Sequence, residues 1–174
     1  MIITISGMPG AGKSTVGRAL AQRLHLSYAS VGDYIRTRAR DAGKNLLDLM
    51  KDKYAFAQVQ REVESYIDRL AEQKNIIIDG RDAFYHVRES LNVFLTVDET
   101  AAAKRIHNAG RTTEKFASAA AAKKSLSERR AREQDLYQQL HKIDIYNPIH
   151  YDIIIDTTHL SVPEIVEQIA QAVR

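Results

Sequence analysis

Residues Gly7-Met8-Pro9-Gly10-Ala11-Gly12-Lys13-Ser14 fit the pattern G-x-x-x-x-G-K-[ST], and this run constrains the chain more than any other. It follows an apolar stretch, Ile2–Ser6, that reads as a buried strand, and it leads into a helical pattern carrying Val16, Ala19, Leu20 and Leu24 on one stripe. Strand, glycine loop and helix in that order make a cradle for phosphate. The glycines let successive backbone N–H groups point into one concavity, and no Cβ blocks the anion. The start of the helix adds its positive dipole end. In such a loop Gly7 to Thr15 would wrap the phosphates of a nucleotide, Lys13 would reach the β- and γ-phosphates, and Ser14 would offer a hydroxyl to Mg²⁺.

Four more short apolar runs read as strands: Ser27–Val31, Asn75–Asp79, Asn92–Val97 and Asp152–Asp156. Ile76-Ile77-Ile78 and Ile153-Ile154-Ile155 are continuous and β-branched, the pattern of strands buried on both faces of a parallel sheet. Helical stripes lie between them. Phe56, Val59, Val63, Ile67 and Leu70 form one, and Val162, Ile165, Val166, Ile169, Ala170 and Val173 form another, opened by a capping box at Ser161 and Glu164. Asp98 stands where an N-cap belongs, before Ala101–Ala103, with Gly110 at the far end. A long helix is expected over Leu126–Leu140, preceded by an Ala-rich run, Ala117–Lys124, that reads as a weakly packed, mobile helical excursion. Strand alternating with helix predicts a doubly wound α/β fold with its ligands at the carboxyl ends of the strands.

A chain of 174 residues suffices for one domain and can bury a core without disulfides, of which it has none because it has no cysteine. No apolar run approaches the roughly 20 residues of a membrane span, and the apolar start does not read as a signal peptide. A net charge of +3 suits a phosphorylated small molecule and RNA equally.

A nucleotide-binding loop of this kind needs an acid at a strand end to hold Mg²⁺. Three strands end near aspartates: Asp79, Asp98 and Asp156. Asp98 has work as a helix cap, and Asp156 precedes Thr157-Thr158 in what reads as a turn. Asp79 is therefore the metal candidate beside Ser14. It is followed by Gly80-Arg81-Asp82, where Arg81 could grip phosphate bidentately and Asp82 could accept from ribose hydroxyls; the alternative is a surface turn with an internal ion pair.

Together these segments resemble the nucleoside monophosphate kinases, most of all the short, archaeal-type cytidylate kinases. The resemblance spans nearly the whole chain. It rests on Ile2–Gly7 with the phosphate loop, on Ser30-Val31-Gly32-Asp33-Tyr34-Ile35-Arg36, on Asp79-Gly80-Arg81-Asp82, and on Asp156-Thr157-Thr158 with Leu160, Ser161 and Glu164. It implies a P-loop fold with a five-stranded parallel sheet flanked by helices and a helical lid. It also implies ATP with Mg²⁺ and transfer of the γ-phosphate to CMP or dCMP. By position, residues 32–74 would be the monophosphate segment and 107–132 the lid. Ser30, Asp33 and Arg36, with Arg81 and Asp82, would face the acceptor, and Arg105 would flank adenine. The chain departs from the family in Asp135 and Leu136 just before Tyr137, and in its Ala-rich run.

Phosphoryl transfer needs positive charge around the equatorial oxygens. Arg111, Arg129, Arg130 and Arg132 are the lid's supply; Arg129 and Arg132 share a helix face and join Lys13 and Arg81 as catalytic candidates, while Arg111 is a candidate for holding ATP. Arg129 with Glu133 also reads as an ordinary i,i+4 surface pair. The acceptor is already anionic, so no histidine base is needed. His25, His86, His107, His141, His150 and His159 show no metal-ligand spacing and are expected on the surface or in packing. Tyr34, Tyr54, Phe84 and Tyr85 are near enough to stack on a base, whereas Phe56 belongs to an apolar stripe. Two rivals share the loop: a kinase for AMP, shikimate or a nucleoside, and a non-catalytic ATP-bound regulator or RNA-binding switch. The chain is expected to act as a cytoplasmic monomer, without membrane or nucleic acid.

Overall fold

A computed structural model describes residues 1–44, 53–108 and 118–173. Five strands form one parallel sheet in the order β2-β3-β1-β4-β5: β1 is Ile2–Gly7, β2 Ser27–Ser30, β3 Ile76–Asp79, β4 Leu91–Thr96 and β5 Ile153–Asp156. The register pairs Ile5 with Asp79 and with Val93, so β1, at the centre, delivers the loop after Gly7 beside the acidic end of β3. Seven helices lie among the described residues: α1 (Lys13–Leu24), α2 (Val31–Asp41), α3 (Lys53–Glu72), the short α4 (Ala83–His86), α5 (Glu99–Asn108), α6 (Ala119–His141) and α7 (Val162–Ala172).

Two apolar cores sandwich the sheet. One packs Ile3, Ile5, Ile77 and Leu95 against Val16 and Leu20 of α1 and Ile165 and Ile169 of α7. The other packs Ile76 and Ile78 against Val59, Val63, Ile67 and Leu70, the stripe of α3 read from the sequence. The Phe56 side chain lies outside the described residues. The capping box of α7 forms, with Ser161 N–H donating to Glu164 at 2.7 Å. Asp98 caps α5 as expected, its Oδ1 accepting from Thr100 N at 2.8 Å and Ala101 N at 3.1 Å. Gly110 lies outside the described residues.

Three expectations change. Ile76–Ile78 are buried on both faces, but Ile154 is 47% exposed, because β5 is an edge strand with a free face. Val31 does not extend β2; it opens α2, where the Ser30 side chain accepts from Asp33 N at 3.2 Å and stops the strand. The described part of the Ala-rich run is no separate excursion: from Ala119 it is the first turns of α6. Ala122 is fully buried with Leu126 against Ala102 and Ala103 of α5. Small side chains there let two helices approach closely.

If close approach is what the alanines provide, Ala122→Leu will overpack the α5–α6 contact and cost about 1–3 kcal/mol. Urea unfolding checks this; a change within about 0.5 kcal/mol would mean that the site is loosely packed.

Candidate functional site

The loop from Gly7 to Ser14 closes over the carboxyl ends of β1 and β3. Gly7 has φ 149°, and a Cβ there would come 2.8 Å from Leu95 N of the neighbouring strand. Gly10, at φ 82°, would set a Cβ 2.8 Å from the Cβ of Ala102. Both positions therefore exclude side chains. Lys13 folds back over the loop, its Nζ donating to the carbonyls of Gly7 and Met8 at 3.1 Å each. Burial and then the charge of Arg81 push the Lys13 ammonium well below its ordinary pKa, against the pull of Asp79 and Glu133. Its charge therefore gains from any anion brought to it.

Asp79, almost buried at the end of β3, accepts from the Ser14 hydroxyl at 2.7 Å and from the Tyr28 hydroxyl at 2.9 Å. Burial, with the Asp79 charge, pushes the Tyr28 phenol up to about 12, so it stays a donor. Ser14 and Asp79 fit Mg²⁺: both offer hard oxygens, and their 2.7 Å separation is near the edge of about 2.9 Å between oxygens bound at about 2.1 Å in an octahedron.

The turn after β3 is fixed from β1, where buried Ser6 donates to Gly80 O at 2.7 Å and Arg81 O at 3.2 Å. Arg81 is thereby aimed into the cleft. It donates to Gly7 O and grips Glu133 of α6 with a hydrogen bond, Nη2 to Oε1 at 3.0 Å, and an ionic contact, Nε–Oε2 at 2.8 Å. Arg129 Nε reaches Glu133 Oε1 at 3.0 Å, and the Tyr146 hydroxyl donates to Oε2 at 2.9 Å. The i,i+4 pair read from the sequence exists, but it is not a surface pair: the Glu133 side chain is 13% exposed. Burial opposes its ionisation, yet Arg81, then Arg129 and Lys13, hold its carboxyl down to about 2. Burial likewise opposes the Arg81 charge, and Glu133 more than restores it.

These groups border a cleft of about 580 Å³. Gly10, Gly12, Lys13, Ser14 and Thr15 form its floor, with Arg81, Arg129, Glu133 and Tyr137 across from them. At one end Arg105 of α5 is anchored on the loop after β5, donating to Thr157 Oγ1 at 3.0 Å and Thr157 O at 2.5 Å. Fully buried Thr157 in turn bonds Ala11 O at 3.3 Å, tying that loop to the phosphate loop. At the other end Ser30, Gly32, Arg36 and the nearly buried Gln60 complete the wall.

Most residues expected at a site meet here: the glycine loop with Lys13 and Ser14, Ser30, Arg36, Asp79, Arg81, Arg105 and Arg129. The lining begins at Pro9, so Gly7 and Met8 stand outside it, and three residues beyond the loop do not join it. Asp33 is exposed and paired with Arg36 at 2.5 Å and Arg18 at 3.2 Å. Arg132 lies exposed on α6. Asp82 is buried and turned away, facing His86 at 3.3 Å and His141 at 3.2 Å. Arg111 lies outside the described residues. The aromatic candidates have other partners: Tyr34 stacks on Tyr66 at 4.2 Å, Tyr85 on His141 at 4.6 Å and Phe84 on His150 at 5.1 Å, while Tyr54 is exposed. Glu133, Tyr28, Gln60 and Tyr146 carried no sequence signal for the cleft beyond the Arg129–Glu133 spacing.

Sheet order, phosphate loop and cleft define the fold of the P-loop kinases. The chain also aligns over nearly its full length with known structures of such enzymes: a shikimate kinase from Bacteroides thetaiotaomicron has a TM-score of 0.66 at 18% identity, covering 99% of this chain and 98% of that one. An uncharacterized protein from Eubacterium ventriosum reaches 0.75 at 18% identity, covering 99% and 97%. Residues 36–159 match the cytidylate kinase-like family, and the chain belongs to it. It is 30% identical to the cytidylate kinase of Methanosphaera stadtmanae, covering 99% of this chain and 98% of that protein. It is also 30% identical to part of an S-adenosylmethionine-dependent nucleotide dehydratase from Lacinutrix mariniflava, covering 97% of this chain but only 35% of that longer protein. With fold and family in hand, the chain is an ATP-dependent phosphotransferase. No helix among the described residues is long and apolar enough to cross a membrane.

The Glu133 carboxyl lies lower in the folded chain, about 2, than its ordinary 4.5. Its contribution is therefore complete above 4.5 and is lost as the pH falls towards 2; a shift of this size corresponds to on the order of 3 kcal/mol. Glu133→Gln is expected to lower stability at pH 7 by about that amount and to flatten the acid limb between those values. Urea midpoints against pH test it; an unchanged acid limb would mean that the ion pair contributes nothing.

Proposed function

We propose that this chain moves the γ-phosphate of ATP to CMP, giving ADP and CDP, with dCMP as the second acceptor. The observation that carries the reading is the convergence of Lys13, Arg81 and Arg129 on one cleft, over the Ser14–Asp79 pair, in a chain whose full-length relatives include cytidylate kinases. ATP would lie with its phosphates in the loop of residues 7–15 and its adenine against Arg105, with Arg111 as a further contact. Ser14 and Asp79 would hold Mg²⁺, which would supply charge neutralisation at the phosphates.

CMP would enter from the side of Ser30, Arg36 and Gln60. Gln60 brings an amide with both a donor and an acceptor, the pair that the amino group and N3 of cytosine ask for. Asp33 would act through Arg36, which it orients. An acceptor phosphate oxygen attacks the γ-phosphorus as the bond to the β–γ bridging oxygen breaks, and ADP leaves. No side chain need take a proton. Alignment and charge supply the catalysis.

Glu133 bears on this directly. Arg81 and Arg129 are already charged and oriented, but both are satisfied by its carboxylate. Phosphate oxygens arriving beside Lys13 would compete for the same guanidinium donors, so that the arginines pass from one anion to another without being solvated between. Arg132, exposed at the start, would reach the phosphates only if α6 moves inward with the lid segment of residues 107–132. The monophosphate segment of residues 32–74 belongs with it to one domain, working as a monomer in the cytoplasm.

ADP release from ATP and Mg²⁺ should depend on CMP, more weakly on dCMP, and little on UMP, AMP, GMP or shikimate. Lys13→Ala should lower the rate at least about a hundredfold. Preference for another monophosphate would keep the chemistry and overturn the acceptor. ATP binding without acceptor-dependent turnover would favour a regulator instead.

A further inference from the structure

Outside the cleft, two side chains four residues apart and a third from a distant part of the chain bring ligand atoms to one point. Asp82 follows the turn that carries Arg81 and precedes α4, His86 ends α4, and His141 ends α6. One ligand atom from each, all within 4.8 Å of one another, converge: both Nε2 atoms face the same carboxylate oxygen, Oδ2 of Asp82, at 3.3 Å from His86 and 3.2 Å from His141. The side chains are 3%, 11% and 9% exposed. The rings stand nearly perpendicular, 84° apart with centroids at 5.2 Å, and His141 is held from the other side by Tyr85. Sequence spacing gave no sign of this, because His86 and His141 lie far apart in the chain; both were expected on the surface or in packing, and both are packed here.

As a hydrogen-bonded cluster the arrangement leaves half of the carboxylate unused. Two imidazoles crowd one oxygen, while Oδ1 of the same carboxylate is buried with no partner among the described residues. As a coordination sphere it is good. Ligands bound at about 2.0–2.1 Å around a tetrahedral ion are about 3.3–3.4 Å apart. The two observed Asp–His separations fall close to that edge. Two imidazoles and one carboxylate suit Zn²⁺ or Co²⁺ and not Mg²⁺, which prefers oxygen and keeps its water. The orphaned Oδ1 is placed to serve as a fourth donor or to accept from a bound water.

We propose that Asp82, His86 and His141 form a structural site for a zinc-class divalent cation, distinct from the Mg²⁺ position at Ser14 and Asp79. The ion joins the end of α6 to the turn after β3. Both elements carry cleft residues: Tyr137 and Glu133 lie about one and two turns upstream of His141, and Arg81 is adjacent to Asp82. The site therefore sets the position of the lid helix over the phosphates. It stands or falls independently of which acceptor the enzyme uses.

The test is a Co²⁺ titration of the full chain, stripped with a chelator and free of nucleotide. One equivalent should give the visible bands of a four-coordinate ion, displaced by Zn²⁺. His86→Gln and His141→Gln should each weaken binding about tenfold or more, while Asp79→Asn should leave it within about twofold. No saturable band in the unaltered protein, or a band retained in His141→Gln, overturns the proposal. Should the variants fail to fold, ¹⁵N spectra of the histidines in the unaltered protein decide it: Zn²⁺ must shift Nε2 of both His86 and His141, and unshifted signals refute the site.

Discussion

One buried carboxylate organises the phosphate end of this protein. Glu133 takes one hydrogen bond and a second ionic contact from Arg81, one bond from Arg129 and one from Tyr146, and so joins the end of β3 to α6 through charge. A guanidinium buried alone would be costly, and three cations near one another would repel. With Glu133 among them, Arg81 and Arg129 can lie close together beside Lys13 before any phosphate is present. In the proposed reaction that is preorganisation: the positive field exists before the substrate and need not be assembled at the moment of transfer. The carboxylate also competes with phosphate, so ligand binding requires an exchange of anions.

The fold was legible because parallel sheets are written in local signals. Continuous runs of isoleucine mark the strands, one glycine loop fixes the first strand-to-helix connection, and caps such as Ser161–Glu164 mark helix starts. What stayed illegible depended on neighbours. Nothing in Ile153-Ile154-Ile155 says that β5 lies at an edge, because edge position is a property of strand order. Nothing in an alanine run says whether it is bare or pressed against another helix. Ala122 is pressed against α5, and only packing shows it.

The site divides in the same way. Its contiguous part, Gly7 to Ser14 with Asp79 and Arg81, could be read from spacing alone. The part assembled across the chain could not. Arg129 and Glu133 were visible as a local pair, but the 52 residues between Arg81 and Glu133 hid the contact that removes the pair from the surface. Asp82 shows the opposite error. A carboxylate next to a phosphate-gripping arginine invites a role towards ribose, yet the short helix α4 turns it to the far side, onto His86 and His141. Adjacent residues at a strand end point in different directions, and sequence proximity does not report which of them meets the ligand.

In the proposed complex the cleft holds two nucleotides end to end, and phosphate takes Arg81 and Arg129 from Glu133. A crystal structure with an adenosine and a cytidine joined through five phosphates tests both parts at once. The adenosine half should lie by Arg105 and the cytidine half by Gln60, with Arg81 and Arg129 bonded to phosphate oxygens and no longer to Glu133. An adenosine half bound alone, with the cytidine end disordered and Arg81 still on Glu133, would contradict the account.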